Sequence, residues 1–496
     1  MITMVLGNIS TGLANVLDPF ILTLMVVGVL LGILMGSIPG MTATMTIAVL
    51  LSFTFTLEPA AGMMLLLGIY GGAVYAGSIP AILIRTPGTP SAAATIFDGH
   101  PLSKKGEAGR AIRVSTVASF VGGVISVLAL MFLSPVIADA ALRFRSPEFF
   151  ALSLFGLTII ASVSGDSVTK GMISGLLGML IATIGIDPIS GYQRFTFDIP
   201  NLMGGIEFIA VMIGLFGIAE GLRKYAQGIN DEQEKPDQEI SGVLPSAADM
   251  KSIAPVSVGS GVVGSLIGAI PGAGGDIASF ITYNEATRWL KDATPSFGDG
   301  NIRGVAAAES GNNASTGGAL IPTFTLGIPG DSVSALLIGA LMVHNVNPGP
   351  GLYEDESGLL YTIFIGFLLI YVIILVLGLL GANYWARLIN IPQAYLWPVI
   401  LVLCVIGAIA LSGTIFNAWV MLVAGVLGFV MRLRGYPLAP MVLGLILAPI
   451  AEENLRRSLE LSEGSLDIFY TDPLALAVIL LSVATIAVPA IRAVRN

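Results

Sequence analysis

The sequence predicts an all-α polytopic membrane protein built from two related halves, and three observations carry that prediction. Apolar runs such as "FILTLMVVGVLLGILMG" (20–36) and "YTIFIGFLLIYVIILVLGLLGA" (361–382) continue without the apolar/polar alternation of an outer-membrane strand. Charged residues make up 11% of the chain and hydrophobic ones 55%, with a mean hydropathy of +0.88. A water-soluble domain carries about 25% charged residues, so this chain has lipid as its solvent. Finally, a helix-breaking Ile-Pro-Gly occurs twice in apolar surroundings, in "GSIPG" at Gly36 and "GAIPG" at Gly268.

Taken in order, the first apolar run ends at Ile38-Pro39-Gly40 and resumes as "TATMTIAVLLSFTF" (42–55). Proline removes a backbone donor and glycine frees φ, so a helix has to stop there. Further runs of about the 20 residues that a span needs lie near 61–84, 114–138, 148–164, 167–187 and 203–222. The first of these runs into a second polar kink, Thr86-Pro87-Gly88-Thr89-Pro90-Ser91. "KYAQGINDEQEKPDQEISGVLPSAADMK" (224–251) follows, a polar connection with the composition of a solvated loop. A third break, Ile270-Pro271-Gly272, leads to Asp276 and Ser279, and a fourth is Gly327-Ile328-Pro329-Gly330-Asp331-Ser332. The fourth is preceded by "ESGNNASTGG" (309–318), which is hydrophilic for its position. The remaining apolar runs lie near 359–384, 394–411, 414–432, 436–452 and 473–491.

The breaks match in pairs. Gly36-Ser-Ile-Pro-Gly and Gly268-Ala-Ile-Pro-Gly are 232 residues apart. "IPAILIRTPGTPSA" (79–92) and "IPTFTLGIPGDSVS" (321–334) are 242 apart, and both hold two prolines seven positions apart. The organisation expected is a first transmembrane repeat over 1–223, a connection over 224–252 and a second repeat over 253–496, the two pseudo-symmetric and inverted as transporter repeats often are. One Pro-Gly break alone is ordinary helix packing. Four breaks in two matched pairs point to a transport site near the membrane midplane, because unpaired backbone at that depth must be enclosed by protein or line a cavity.

The residue types at the breaks suggest what is carried. Oxygens of Ser37, Gly40, Thr42 and Thr44, and of Gly272 and Asp276, suit Na⁺, with H⁺ coupling through Asp276 as the alternative. Free N–H groups at half-helix starts attract an anion, assisted by Thr89, Ser91, Asn312, Asn313, Ser315, Gly330 and Ser332. Arg85 is the one cation beside a break, and its counterpart Gly327 lends it no symmetry support. Asp98 and His100 read as a solvated turn, and Glu309 as either functional or at a membrane surface. Glu452, Glu453, Arg456 and Arg457 read as an interfacial charge cluster.

Other classes fit poorly. The net charge of −9 without a basic patch argues against nucleic acid, while a single cysteine, Cys404, and two isolated histidines leave no thiolate or metal centre. No cofactor is expected beyond the coupling ion. "GAGGD" approaches an intramembrane-protease motif but has Ala273 in place of its first glycine, and no Gly-x4-Gly-Lys-Ser/Thr loop exists for ATP. The chain therefore reads as no enzyme, with an intramembrane enzyme or a passive anion channel as the alternatives to a carrier. No basic residue precedes Arg85, so the first apolar segment is expected to stay as a span, with the basic end "RAVRN" in the cytoplasm.

These motifs resemble the large membrane subunit of the tripartite tricarboxylate transporter family. The similarity lies in "GSIPGM", "GIYGGAVYAGSIPAILIRTPGTPSAAATIFDGHPLSKKGEAGRA", "AIPGAGGDIASFITY", "FGDGNIRGVAAAESGNNASTGGALIPTFTLGIPGDSVSALLIGALMVHNVNPGPGL" and "LGLILAPIAEENLRRSL". It spans nearly the whole chain, and Ser310-Gly311 is a departure before the Asn pair. The resemblance implies about twelve membrane segments with re-entrant hairpins and an elevator-type motion in a bacterial inner (cytoplasmic) membrane. It further implies a small four-helix membrane subunit, a periplasmic solute-binding protein that delivers an organic carboxylate, and uptake driven by Na⁺ or H⁺.

Overall fold

The computed structural model describes residues 2–163, 167–187, 189–227, 244–271, 274–291, 293–388, 393–411 and 413–495. Gly272, an expected ion ligand, and residues 228–243 of the expected polar connection lie outside them. Among the described residues the regular structure is helical apart from a two-residue antiparallel pair, β1 (Gly185–Ile186) and β2 (Gln193–Arg194).

The chain forms two compact units, one from Met1–Ile137 and Lys224–Leu403, the other from Ala138–Arg223 and Cys404–Asn496. In chain order the helices begin with α1 (Ile2–Val16), α2 (Pro19–Gly36), α3 (Ala43–Leu50), α4 (Pro59–Ala76), α5 (Ser78–Ile84), α6 (Ile96–Lys104) and α7 (Ala108–Ala141). There follow α8 (Ser146–Val163), α9 (Val168–Ala182), α10 (Pro200–Met203), α11 (Phe208–Met212) and α12 (Ala219–Gln227), the last two joined by a π-helical turn, Ile213–Ile218. The second half supplies α13 (Ala247–Gly268), α14 (Gly274–Trp289), α15 (Ile302–Leu326), α16 (Ser332–Val343), α17 (Leu352–Asp355), α18 (Ser357–Leu388) and α19 (Gln393–Ala410). It closes with α20 (Ile415–Leu433), α21 (Ala439–Leu461), α22 (Ile468–Thr471) and α23 (Pro473–Arg495).

Among the described residues, six helices or helix pairs are long and apolar enough to cross a membrane: 19–36, 59–84, 108–141, 247–268, 357–388 and 415–433. Shorter apolar helices cover 43–54, 168–182, 332–343, 394–410 and 473–484. Rows of exposed apolar side chains at helical spacing, Val258, Val262 and Leu266 on α13 and Val372, Val376 and Leu380 on α18, are suited to lipid.

All four sequence breaks are real interruptions within the first unit. The helix ends are alike in pairs. Helix α2 closes on Ser37, whose N–H bonds the Ile33 carbonyl, and α13 closes on Ala269, whose N–H bonds that of Ser265. Helix α5 ends on Arg85 at φ 57° and ψ 20°, with its N–H on the Pro80 carbonyl. Helix α15 ends on Gly327 at φ 70° and ψ 16°, with its N–H on that of Pro322. Both are left-handed caps, the conformation glycine adopts most easily.

The halves also pack alike. Helix α2 lies so close to α4 that a Cβ on Gly28, Gly32 or Gly36 would strike the carbonyl oxygens of Leu65, Ile69 or Ala73. Helix α13 meets α15 in the same way, with Gly264 and Gly268 against the carbonyls of Gly311 and Ser315. Small residues four apart permit this approach, which lipid cannot drive by hydrophobicity. Helix α15 is enclosed along almost its whole length, with Glu309, Asn312 and Asn313 all 0% exposed. Glu309 therefore lies in the core of its unit.

In the second unit, α21 packs on α8 and α9 with Gly444 against the Gly175 carbonyl and Gly178 against that of Met441. The charge cluster read from the sequence is present and larger than expected. Arg456 pairs with Asp187 at 2.8 Å and Glu452 at 3.0 Å, Arg194 pairs with Glu452 at 2.6 Å, and Arg457 with Glu453 at 2.6 Å. Asp187 also accepts the backbone N–H groups of Ile189 and Ser190, each at 2.9 Å.

The turn expected around Asp98 is not solvated. Asp98 is 0% exposed in α6 and accepts the N–H groups of Gly298, Gly300 and Asn301 at 2.9, 3.0 and 2.7 Å and the Tyr283 hydroxyl at 2.9 Å. It holds the loop entering α15, and those bonds offset the cost of burying it. His100 is half-buried, with Nδ1 3.2 Å from the Ile82 carbonyl oxygen.

Candidate functional site

The polar residues of the breaks meet inside the first unit, around the starts of α3, α14 and α16 and the 3-10 turn Pro90–Thr95. Helix α14 starts at Gly274, whose φ of 56° favours glycine. The next residue, Gly275, is hemmed in. A Cβ there would sit 2.9 Å from both Asn312 Oδ1 and Ser315 Oγ, and 3.2 Å from Ser91 Cβ. Ser91, Asn312 and Ser315 thus close on one stretch of backbone, with Thr89 Oγ 3.1 Å from Ser91 Oγ.

Asn312 is the residue in this group without an internal role. Its amide oxygen and nitrogen are both buried and have no hydrogen-bond partner among the described residues. Such an amide costs about 1–3 kcal/mol per unsatisfied group, so its presence points to a ligand able to satisfy it. Ser315 is already tied to the Asn312 carbonyl at 2.7 Å.

A second group forms where α3 meets α16. Thr44 Oγ1 and Ser332 Oγ are 2.9 Å apart, which places an expected ion residue against an expected substrate residue. Thr42 caps α3 by accepting the Met45 N–H at 3.2 Å, and Gly40 makes the turn before it at φ 87°. Ser37 is 0% exposed, and its Oγ has no partner among the described residues. Gly330 lies against Ala319, with its N–H on Thr323 Oγ1 at 3.3 Å.

Asp331 caps α16 through a 2.7 Å bond from the Ser334 N–H, and its other oxygen takes the Tyr70 hydroxyl at 2.5 Å. Asp276, exposed in the first turn of α14, lies within electrostatic range of Asp331. A cation near both carboxylates would offset their mutual repulsion. Among the described residues no cluster of three or more His, Cys, Asp or Glu side chains could hold a metal ion. Monovalent Na⁺ does not need one, since hydroxyl and carbonyl oxygens suffice, and the unpartnered Ser37 Oγ is of that kind.

Asn313 is not brought into the Asn312 group. One residue on along α15, it turns its amide nitrogen to Ser119 Oγ at 2.8 Å and the Glu309 carbonyl at 3.0 Å. Arg85 is exposed and reaches none of these groups through a described hydrogen bond or ion pair. Tyr70 and Gly275 are participants that the sequence does not single out, and Asp331 stands in the fourth break without a role assigned to it there. Asp331 had a signal, an acid directly after a break and three residues before Ser334, the spacing of a capping box.

A sequence model of the "Tripartite tricarboxylate transporter TctA family" matches residues 22–443. The chain belongs to the TctA family. Its relatives include an uncharacterized 52.8 kDa protein of the TAR-I region of Agrobacterium vitis, 35% identical over 99% of this chain and 97% of that protein. An uncharacterized protein of the TAR-II region of the same organism is 36% identical over 47% of this chain and 97% of its own length. No solved structure matches. TctA family membership and the spanning helices make this a multi-pass membrane protein and the large subunit of a tricarboxylate transporter type, in a family of transporters and not of enzymes. Such systems are tripartite, so other subunits belong to it.

Proposed function

We propose that this chain is the membrane carrier of a binding-protein-dependent secondary transporter that imports a di- or tricarboxylate or a related organic anion. A Na⁺ gradient, or an H⁺ gradient in its place, drives the uptake. The observation that carries this reading is the fully buried Asn312 amide, without a hydrogen-bond partner among the described residues and closed on by Ser91 and Ser315 beside the glycine start of a half-helix. Backbone N–H groups and amides hold carboxylate by dipoles and hydrogen bonds, and a cation near Asp276, Ser37 and Thr44 neutralises the remaining charge. The matched caps at Ser37 and Ala269, and at Arg85 and Gly327, support two repeats that each contribute a pair of breaks. An elevator-type motion would carry the site across the bacterial inner membrane.

A small four-helix membrane subunit and a periplasmic solute-binding protein complete the system, since the described residues form no large soluble domain able to scavenge solute. The test is uptake of radiolabelled citrate and C4-dicarboxylates into proteoliposomes, with and without the two partners and with a Na⁺ gradient at fixed pH. Counterflow distinguishes a carrier from a channel, which cannot accelerate exchange against a gradient. Uptake that needs neither partner, or that shows no counterflow for any carboxylate, overturns the reading.

A further inference from the structure

Glu309 sits three residues before Asn312 on α15, is 0% exposed and takes no part in the site above. Each partner that the structure gives it is a hydroxyl. Thr95 Oγ1 donates to its Oε1 and Ser119 Oγ donates to its Oε2 at 3.3 Å, and the Ser115 hydroxyl is near enough to interact with it. No ion pair among the described residues includes it. An ionised carboxylate enclosed without a cation is among the costliest groups a protein interior can hold.

The hydrogens around Glu309 can be counted, because each hydroxyl has only one. Ser78 donates its hydrogen to the Tyr75 carbonyl at 2.8 Å. Its 2.7 Å contact with Ser115 therefore uses the Ser115 hydrogen. Ser119 receives the Asn313 amide and sends its own hydrogen to Glu309. Ser115 is left with only lone pairs toward the carboxyl, so it can accept a proton held by the acid but has none to donate to an ionised one.

We propose that Glu309 is a proton-binding site of the first unit, protonated in this structure and exchanging its proton with water during transport. The proposal rests on the carrier reading for its role, but proton binding itself can be tested without it. It places a proton and the anion-binding amide of Asn312 about one helical turn apart on α15, so that the two would travel together. The surrounding elements leave the site to Glu309. On α4, Tyr75 interacts with it electrostatically while its hydroxyl is 2.8 Å from Thr116 Oγ1, and Tyr70 bonds Asp331. On α18, Tyr371 bonds Thr316 at 2.7 Å. Asp98 of α6 and Tyr283 of α14 bond each other, and Asp249 of α13 is held by Arg110 of α7. Arg113 of α7 interacts electrostatically with Asp249, and Asp276 of α14 with Asp331.

Infrared difference spectroscopy of the purified full-length protein in detergent reads the acid directly, through the C=O stretch of a protonated carboxyl group. The wild type is expected to lose one buried-acid band as pH is raised. Glu309→Gln, which keeps the shape and neutrality of the protonated group, is expected to lack that band at every pH and to unfold at the wild-type temperature. In proteoliposomes the same variant is expected to lose stimulation of uptake by an inward proton gradient. A band that survives in Glu309→Gln overturns the proposal. So does a Glu309 band that stays constant over the whole pH range in which the protein is folded, which would make it a structural acid. ²²Na⁺ binding that disappears in Glu309→Gln, with no acid band in the wild type, assigns the cage to Na⁺ and overturns it equally. Failure of the carrier reading would show as absent counterflow and leave the band in place.

Discussion

In the proposed site, Asn312 and Arg85 reverse the usual expectation about which residue type receives an anion. The cation is exposed at a helix end, while the uncharged amide is sealed in the core with neither of its polar atoms partnered among the described residues. Replacing Asn312 by Asp places a negative charge where the proposed carboxylate binds. Two like charges about 4 Å apart at a partly screened site repel by about 4 kcal/mol, so uptake is expected to fall about a hundredfold or more. Arg85→Gln, by contrast, is expected to transport within about twofold of the wild type. Arg85→Gly relieves the left-handed backbone and is expected to stabilise the protein by about 1 kcal/mol. Uptake and thermal unfolding measured on the three variants at matched expression check this, and a dead Arg85→Gln beside an active Asn312→Asp would reverse the assignment.

At the scale of elements, the close glycine contacts and the loop clamps are the parts most open to test. Gly32→Leu on α2 drives a side chain into the Ile69 carbonyl on α4. Backbone cannot yield as a flexible side chain can, so the variant is expected to lose most of its folded yield in size-exclusion chromatography. Gly7→Leu, at a position with nothing near its Cβ, is the control and is expected to behave as the wild type. In the second unit, the Ser190 and Ile189 amides and Arg456 hold the Asp187 carboxyl well below the usual carboxylate range. A depressed acid stabilises the fold at pH above its unfolded value of about 3.9 and loses that contribution as pH falls through the folded value. Asp187→Asn should therefore lower the unfolding temperature at pH 7, and the gap to the wild type should close as pH drops below about 4.

The sequence showed the breaks clearly because Pro-Gly in an apolar run has few other physical meanings, and it showed the charge cluster because Glu452 and Arg456 stand one turn apart. Asp98 was misread for the opposite reason. Its neighbours Gly99, His100 and Pro101 have the composition of a turn, and the amides that enclose it come from residues 298–301, some 200 positions away. The division of labour between Asn312 and Asn313 was equally out of reach. Adjacent identical residues on a helix differ only in direction, and direction has a meaning only once α14 and α7 are in place.

On the scale of the molecule, each half of the chain contributes to both compact units. In the first unit, α1 packs on α18, α14 on the Pro90–Thr95 turn and α16 on α3, so segments from the two halves interleave. Residues 1–223 expressed alone would leave these surfaces bare and are expected to yield no stable protein. Co-expression of 1–227 with 244–496 as separate chains is expected to restore a folded complex, detectable by co-purification through a tag on either piece. A stable, monodisperse 1–223 fragment would contradict the interleaving.

The caps at Arg85 and Gly327 carry one more consequence. At these two positions the residues differ about as much as two residues can, yet φ and ψ agree to within about 15°, and each N–H reaches back to a proline carbonyl five residues earlier. If the halves descend from one ancestral gene, the torsion angles outlived the side chain that first made them easy. An arginine would then persist in a glycine's conformation because the break around it leaves the main chain no other course. Ancestry in such carriers would be traced further by comparing strings of backbone torsions than by comparing letters, and a non-glycine residue held at positive φ beside a proline would mark where to begin.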